Sequence, residues 1–379
     1  MSSPSRDYPA LDLVRAFAAF SIVVLHVVAM SQWESFPHSG PLAWFRVGFL
    51  SVDLFFVLSG FVITLTALRE QAIGGNARGR FLLRRVARLA PAYFVSSLAW
   101  LALNDFAVLK QPDAWVQALT HLSFTYNFLP STFSAINGAT WTIGIEMQLY
   151  VLVALLMPLL GRWRAARLGV CVLLLALLYR LGSQYLQSGL MGLAPADSQL
   201  WFFSVQVPGM LDVFGVGAAL ALAVHRAELR PRSPAVWLLS LFLLLAWSAS
   251  LVSALLADGE FYWHSYFWVS GFRTLVAGTV LGWLWLALVV PAAWLAHLGA
   301  WLRYPGVISY GVFLWHVPVA QWLLAHTSLR QWPLLWACIG VTGAVAAISW
   351  HVMEKPIQAW ARRRGKRLRD DVGERVRGA

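Results

Sequence analysis

Apolar runs of about twenty residues recur along the whole chain, and polar or basic clusters break them at intervals. A helix needs ~20 mostly apolar residues to cross the hydrocarbon core of a bilayer. The pattern therefore predicts ten spans, at approximately 13–32, 47–67, 89–108, 141–160, 168–187, 203–224, 235–256, 270–290, 305–325 and 333–353. Arg180 and Arg273 interrupt or flank the fifth and eighth of these. The expected fold is an all-α integral membrane protein, a single bundle of about ten transmembrane helices. One membrane domain takes in residues 1–358, and a basic tail follows at 359–379.

Composition supports that class. Hydrophobic residues make up 59% of the 379 and charged residues 12%, and the mean hydropathy is +0.64. A soluble chain of this length could not cover so much apolar surface with so few charges. The first apolar segment follows a polar stretch and lacks a small-residue cleavage site, so it is expected to stay as a helix. Cys171 and Cys338 both fall in predicted spans and offer neither a redox framework nor a metal cluster.

The net charge of +12 reflects topology first. With both termini on one side, that side carries 24 of the 29 basic residues, and the other keeps Arg46, Lys110, Arg180, Arg273 and Arg330. The positive-inside bias makes both termini cytoplasmic. Nucleic-acid binding is a poor reading, because the basic residues are divided among helix ends. The tail from Arg362 to Arg369 is dense enough to contact anionic lipid headgroups, although an ordinary stop-transfer flank looks the same. The chain ends 26 residues after its last predicted span, so no relay to a second, soluble domain is expected.

Any chemistry must then come from polar residues inside the bundle, where ionisable groups are costly and commonly functional. Arg15 and His26 are the leading pair. A spacing of eleven is about three helical turns, which sets them on one face ~16 Å apart. Neutral imidazole can take a proton from a hydroxyl; a lone membrane histidine can also be a packing residue. Asp12 is three residues before Arg15 and can pair with it, as an anchor or as a guide for the arginine. The segment 69–91 is expected as a loop whose Arg80, Arg84, Arg85 and Arg88, read helically, gather cations at the membrane surface, with Pro91 and Tyr93 close behind. Guanidinium forks suit a diphosphate, while the positive-inside rule explains any one of them alone.

Asp53 lies in an apolar setting and is expected to support the site rather than catalyse, with Ser59 and Gly60 permitting close helix approach. Thr142, Glu146 and Tyr150 follow a spacing of four, one polar stripe on an apolar helix behind Trp141. Glu146 could orient a base, accept a hydroxyl proton or bind sugar, or the stripe could simply hold helices together. His316 precedes Pro318 in what reads as a kinked structural helix. Glu354, before Lys355 and Pro356, reads as a helix end. No His-x4-Asp signature, Gly-x-Ser-x-Gly elbow, zinc pair or glycine-rich phosphate loop is present.

Taken in order, these motifs resemble the acyltransferase-3 family of integral membrane acyltransferases. The segments are Leu11-Asp12 with Arg15, Ala16 and His26; Val52 to Phe61; Arg84 to Pro91; Trp141-Thr142 with Glu146 and Tyr150; Ser309 to Pro318; and Glu354-Lys355-Pro356. The resemblance covers nearly the whole chain, with threonine at 142 where serine is more usual. It implies transfer of an acyl group, often acetyl from acetyl-CoA, to a sugar hydroxyl of a cell-surface or exported glycan, at a bacterial inner membrane. No permanently bound cofactor or metal is implied. Acyl-CoA, a glycan or glycolipid acceptor and membrane lipids are the expected partners. On this reading Arg15, Arg84, Arg85 and Arg88 hold the donor. His26 acts as base or acyl acceptor, Glu146 assists, and Asp12, Asp53, Tyr93, Trp141, Thr142, Tyr150, His316 and Glu354 support the site. A transporter or flippase without its own chemistry is the alternative, weakened by the absence of an inverted repeat; a membrane scaffold would leave the clustered arginines a coincidence.

Overall fold

The computed structural model describes residues 8–190, 198–226, 233–257, 266–290, 294 and 300–377. Among them the regular structure is entirely helical. The helices are α1 (Pro9–Met30), α2 (Leu50–Ile73), α3 (Ala77–Leu103), α4 (Ala114–Leu122), α5 (Trp141–Leu160), α6 (Ala165–Tyr185) and α7 (Ser198–Ser204). They continue as α8 (Leu211–His225), α9 (Pro234–Ala257), α10 (Tyr266–Leu288), α11 (Ala300–Val307), α12 (Ser309–His326), α13 (Gln331–Ser349) and α14 (Lys355–Arg377). Among the described residues nine helical segments are long and apolar enough to cross a membrane, or ten if α11 and α12, bent by 63° at their junction, count as one span. The protein is a multi-pass membrane protein.

The bundle is organised around α2 and α8. Their most apolar stretches are 67% and 72% buried, against 6% for α9, which lies at the periphery. Glycine makes the α2–α8 crossing possible. A Cβ on Gly60 would lie 1.9 Å from the Phe214 carbonyl oxygen, and one on Gly217 would lie 2.0 Å from that of Val57. Neither helix could approach so closely with any larger residue. Gly306 does the same for α11, where a Cβ would meet the Asp12 carbonyl oxygen at 2.0 Å. Around this centre α6 and α10 pack on α8, α12 packs on α1 and α13, and α3 packs on α5 and α12.

Two local expectations are corrected. Residues 69–91 are not a loop: α2 continues to Ile73 and α3 begins at Ala77. The turn between them uses Gly74 and Gly75 at positive φ, and Asn76 caps α3 by accepting a hydrogen bond from the Gly79 amide. Two of the arginines in this early part of α3, Arg80 and Arg84, share the Glu70 carboxylate at the end of α2. Glu354 is not a helix end either, since a π-turn (Trp350–Glu354) carries α13 directly into α14. A further break, with a bend of 63°, separates α11 from α12, and Pro318 lies inside α12.

Arg180 and Arg273 do sit within membrane helices, α6 and α10, and both are buried. Arg180 makes a bidentate pair with Asp212 of α8 and also donates to the Ser270 and Gly209 carbonyls. Arg273 pairs with Asp53 of α2. Pairing of this kind is what lets a guanidinium remain in a low-dielectric interior.

Candidate functional site

Five helices, α1, α2, α3, α5 and α12, converge on a cavity of about 80 Å³. That is room for several waters at roughly 10–15 Å³ each. Its polar lining comes from Arg15, Ser59, Arg85, Arg88, Thr142, Glu146, Tyr150, Ser309 and Tyr310, and its apolar lining includes Phe55, Phe56 and Phe313.

Helical geometry sorts the arginines of α3. Arg84 and Arg85 are successive, hence ~100° apart around the axis. Arg84 joins Arg80 on the face towards Glu70, where both pair with its carboxylate, and it does not line the cavity. Arg85 and Arg88, three residues apart, face the cavity. Arg85 donates to the Thr66 hydroxyl at 2.6 Å and packs near the rings of Phe81 and Tyr150. Neither Arg85 nor Arg88 has a carboxylate partner among the described residues. Arg15 completes the cationic wall. Its partner Asp12 lies at 3.0 Å and on its other oxygen pairs with Arg303 at 2.9 Å, so one carboxylate ties Arg15 of α1 to α11.

The stripe of α5 lines the same cavity, with Tyr150 beside Arg85. Glu146 accepts hydrogen bonds from Ser59 at 2.8 Å and Tyr150 at 2.7 Å, both on Oε1. Its other oxygen has no hydrogen-bond partner among the described residues, so the carboxylate is held from one side. Tyr310 donates to the Leu89 carbonyl at 2.8 Å, fixing α12 against α3.

His26 is not in the cavity lining; it belongs to a histidine pair beside Phe313, a lining residue. Its Nδ1 is 2.8 Å from Nε2 of His316, and Nδ1 of His316 is 2.7 Å from the Phe313 carbonyl oxygen. This chain assigns the tautomers. A carbonyl oxygen only accepts, so the His316 proton sits on Nδ1 and its Nε2 is bare. The bare nitrogen accepts from Nδ1–H of His26, which leaves Nε2 of His26 with a free lone pair. His316 is fully buried whereas His26 keeps some exposure.

Other candidates lie outside the cavity. Asp53 is buried with Arg273. Tyr93 stacks on Tyr126 at 6.0 Å, and Trp141 stacks on Phe133 at 5.6 Å. Glu354 accepts from Ser349 at 2.8 Å. The sequence reading gave no site role to Ser59, Tyr310 or Arg303, since their partners are 87, 221 and 291 residues away. Only the motif context around Ser59 and Tyr310 hinted at them.

Comparison with known proteins agrees with this architecture. The family described as an acyltransferase domain, acyltransferase-3, matches residues 8–353. A Bacillus subtilis (strain 168) protein, YrhL, named provisionally as a peptidoglycan O-acetyltransferase, is 27% identical over 93% of this chain and 55% of its own length. Peptidoglycan O-acetyltransferase OatA of Listeria monocytogenes is 26% identical over 93% of this chain and 56% of its own. Nodulation protein 10 of Rhizobium leguminosarum bv. viciae is 26% identical over 91% of this chain and 92% of its own. The chain thus spans about half the length of the first two relatives. No solved structure matches it. With a family match over almost all of its helical bundle, the chain belongs to the acyltransferase-3 family of integral membrane acyltransferases.

Proposed function

We propose that the protein is a membrane O-acyltransferase that moves an acyl group, acetyl in the simplest case, from cytoplasmic acyl-CoA to a hydroxyl of a cell-surface or exported glycan. One observation carries this reading: a cavity whose lining includes two arginines without a carboxylate partner, Arg85 and Arg88, lies beside a histidine whose outer nitrogen is left bare. The relatives named for peptidoglycan O-acetylation support a glycan hydroxyl as the acceptor class.

Arg85 and Arg88 hold the donor diphosphate by bidentate hydrogen bonds, with Arg15 oriented towards it by Asp12. The ~16 Å rise from Arg15 to His26 matches an extended pantetheine arm. Nε2 of His26 takes the proton of the acceptor hydroxyl as its oxygen attacks the thioester carbonyl. The C–S bond then breaks, and the proton passes from His26 to the departing sulfur, which leaves as free coenzyme A thiol. Glu146, held by Ser59 and Tyr150, accepts a hydrogen bond from the acceptor. His316 is a positioning residue, keeping the His26 proton on Nδ1. The enzyme works in a bacterial inner membrane with its arginine-rich face towards the cytoplasm.

The test is free thiol release from acetyl-CoA by protein in lipid nanodiscs, with and without candidate glycans. Glycan-dependent release should fall more than ~100-fold in His26→Ala, the usual size of a lost general base. Near-normal turnover in a folded His26→Ala protein would remove the histidine from the reaction, and failure to bind any acyl-CoA would overturn the donor assignment.

A further inference from the structure

A second opening lies apart from the cavity. It is a groove of about 620 Å³ between α6, α8 and α10, lined almost wholly by apolar groups. Ala165 and Gly169 of α6, Ala219 and Ala223 of α8, and Gly278 and Trp285 of α10 line it. From Ala165 to Leu173 it runs ~12 Å along α6, a little less than one leaflet of a hydrocarbon core ~30 Å thick.

Helix packing accounts for Gly282, whose Cβ would press on Leu244 of α9 at 3.2 Å, but not for Gly169 or Gly278. At the α2–α8 crossing a Cβ would strike backbone, but a Cβ on Gly278 meets nothing within 4 Å. One on Gly169 would touch only the Ala219 side chain, at an ordinary 3.8 Å. Glycine in a helix costs stability relative to alanine, so these positions keep a slot open at some cost.

The charge at one end of the slot says what fills it. Arg162, Arg164 and Arg167 stand exposed at the start of α6, within a turn of Ala165. None makes an ion pair among the described residues. The sequence has no acidic residue in 155–190, 213–227 or 266–295. Trp163 and Trp285 lie at the same end, where amphipathic rings meet headgroups. We infer that the groove binds an anionic phospholipid of the arginine-side leaflet, with one acyl chain along Gly169 and Gly278 and its phosphate on Arg164 and Arg167.

Native mass spectrometry tests this on protein reconstituted in equal parts phosphatidylglycerol and phosphatidylcholine, then released into mild detergent. The wild type should retain one phosphatidylglycerol per chain in preference to phosphatidylcholine. The double variant Arg164→Gln/Arg167→Gln should lose that preference at least tenfold. Gly278→Leu, whose Cβ meets nothing within 4 Å, should lose the bound lipid while keeping the wild type's size-exclusion profile and melting temperature, a check that it is folded. Equal retention of the two lipids by the wild type, or unchanged retention in Gly278→Leu, would overturn the assignment. So would a dimer that Gly278→Leu dissociates, since a second copy would then be the occupant.

Discussion

Arg84 and Arg85 are neighbours in sequence but sit in opposite environments. Arg84 shares the Glu70 carboxylate with Arg80, whereas Arg85 reaches the cavity with a hydroxyl and two aromatic rings beside it and no carboxylate. Arg85→Ala should raise the KM for acyl-CoA at least tenfold, about 1.4 kcal/mol of binding, with the unfolding temperature little changed. Arg84→Ala should do the reverse, lowering thermal stability and sparing KM; steady-state kinetics and a detergent melt distinguish them. His316 offers a second contrast. His316→Phe removes the acceptor that holds the His26 tautomer, so kcat should drop ten- to a hundredfold with little change in KM. His316→Gln keeps a carbonyl acceptor and should recover much of the loss. If Phe and Gln fall equally, His316 acts by packing alone. Residue types were legible from the chain: the Asp12–Arg15 spacing and the Thr142–Glu146–Tyr150 stripe follow from helical periodicity. Which of two adjacent arginines would be neutralised was not, because Glu70 belongs to the preceding helix.

At the scale of elements, apolar length set the number of crossings well and their ends poorly. A predicted span stops where hydropathy falls, yet α3 begins twelve residues before its predicted start at 89, in basic turns where Arg80 and Arg84 share the Glu70 carboxylate. α4 went unmarked as a span because it is short. It is an amphipathic helix with Trp115, Leu119 and Leu122 exposed and His121 buried against Tyr126 at 4.3 Å. Burial pushes the His121 pKa down to about 4, below the ~6.5 of an unfolded chain. The buried ring therefore resists protonation that the released ring accepts. Its contribution to docking α4 is complete above pH ~6.5 and is lost as pH falls towards 4. Protection of the α4 amides, taken relative to the intrinsic exchange rate at each pH, should fall as pH drops across that interval, and His121→Phe should flatten the dependence.

For the whole molecule, the asymmetry of basic residues predicts which face meets the cytoplasm. In a background lacking Cys171 and Cys338, Gln111→Cys should react with an impermeant thiol reagent on intact cells, and Gly161→Cys only after lysis. The reverse pattern would put Arg85 and Arg88 on the wrong side for a cytoplasmic donor. Sequence alone determined the membrane class, the approximate crossings and the residues sharing a helical face, because hydropathy and a 3.6-residue period are local properties. Only the tertiary structure decided that His26 meets His316 across 290 positions, that Asp53 takes Arg273 across 220, and that α2 and α8 touch at Gly60 and Gly217. Those outcomes depend on which helices become neighbours. In a bilayer that choice rests on close packing and the pairing of buried polar groups, because apolar side chains face lipid as readily as protein.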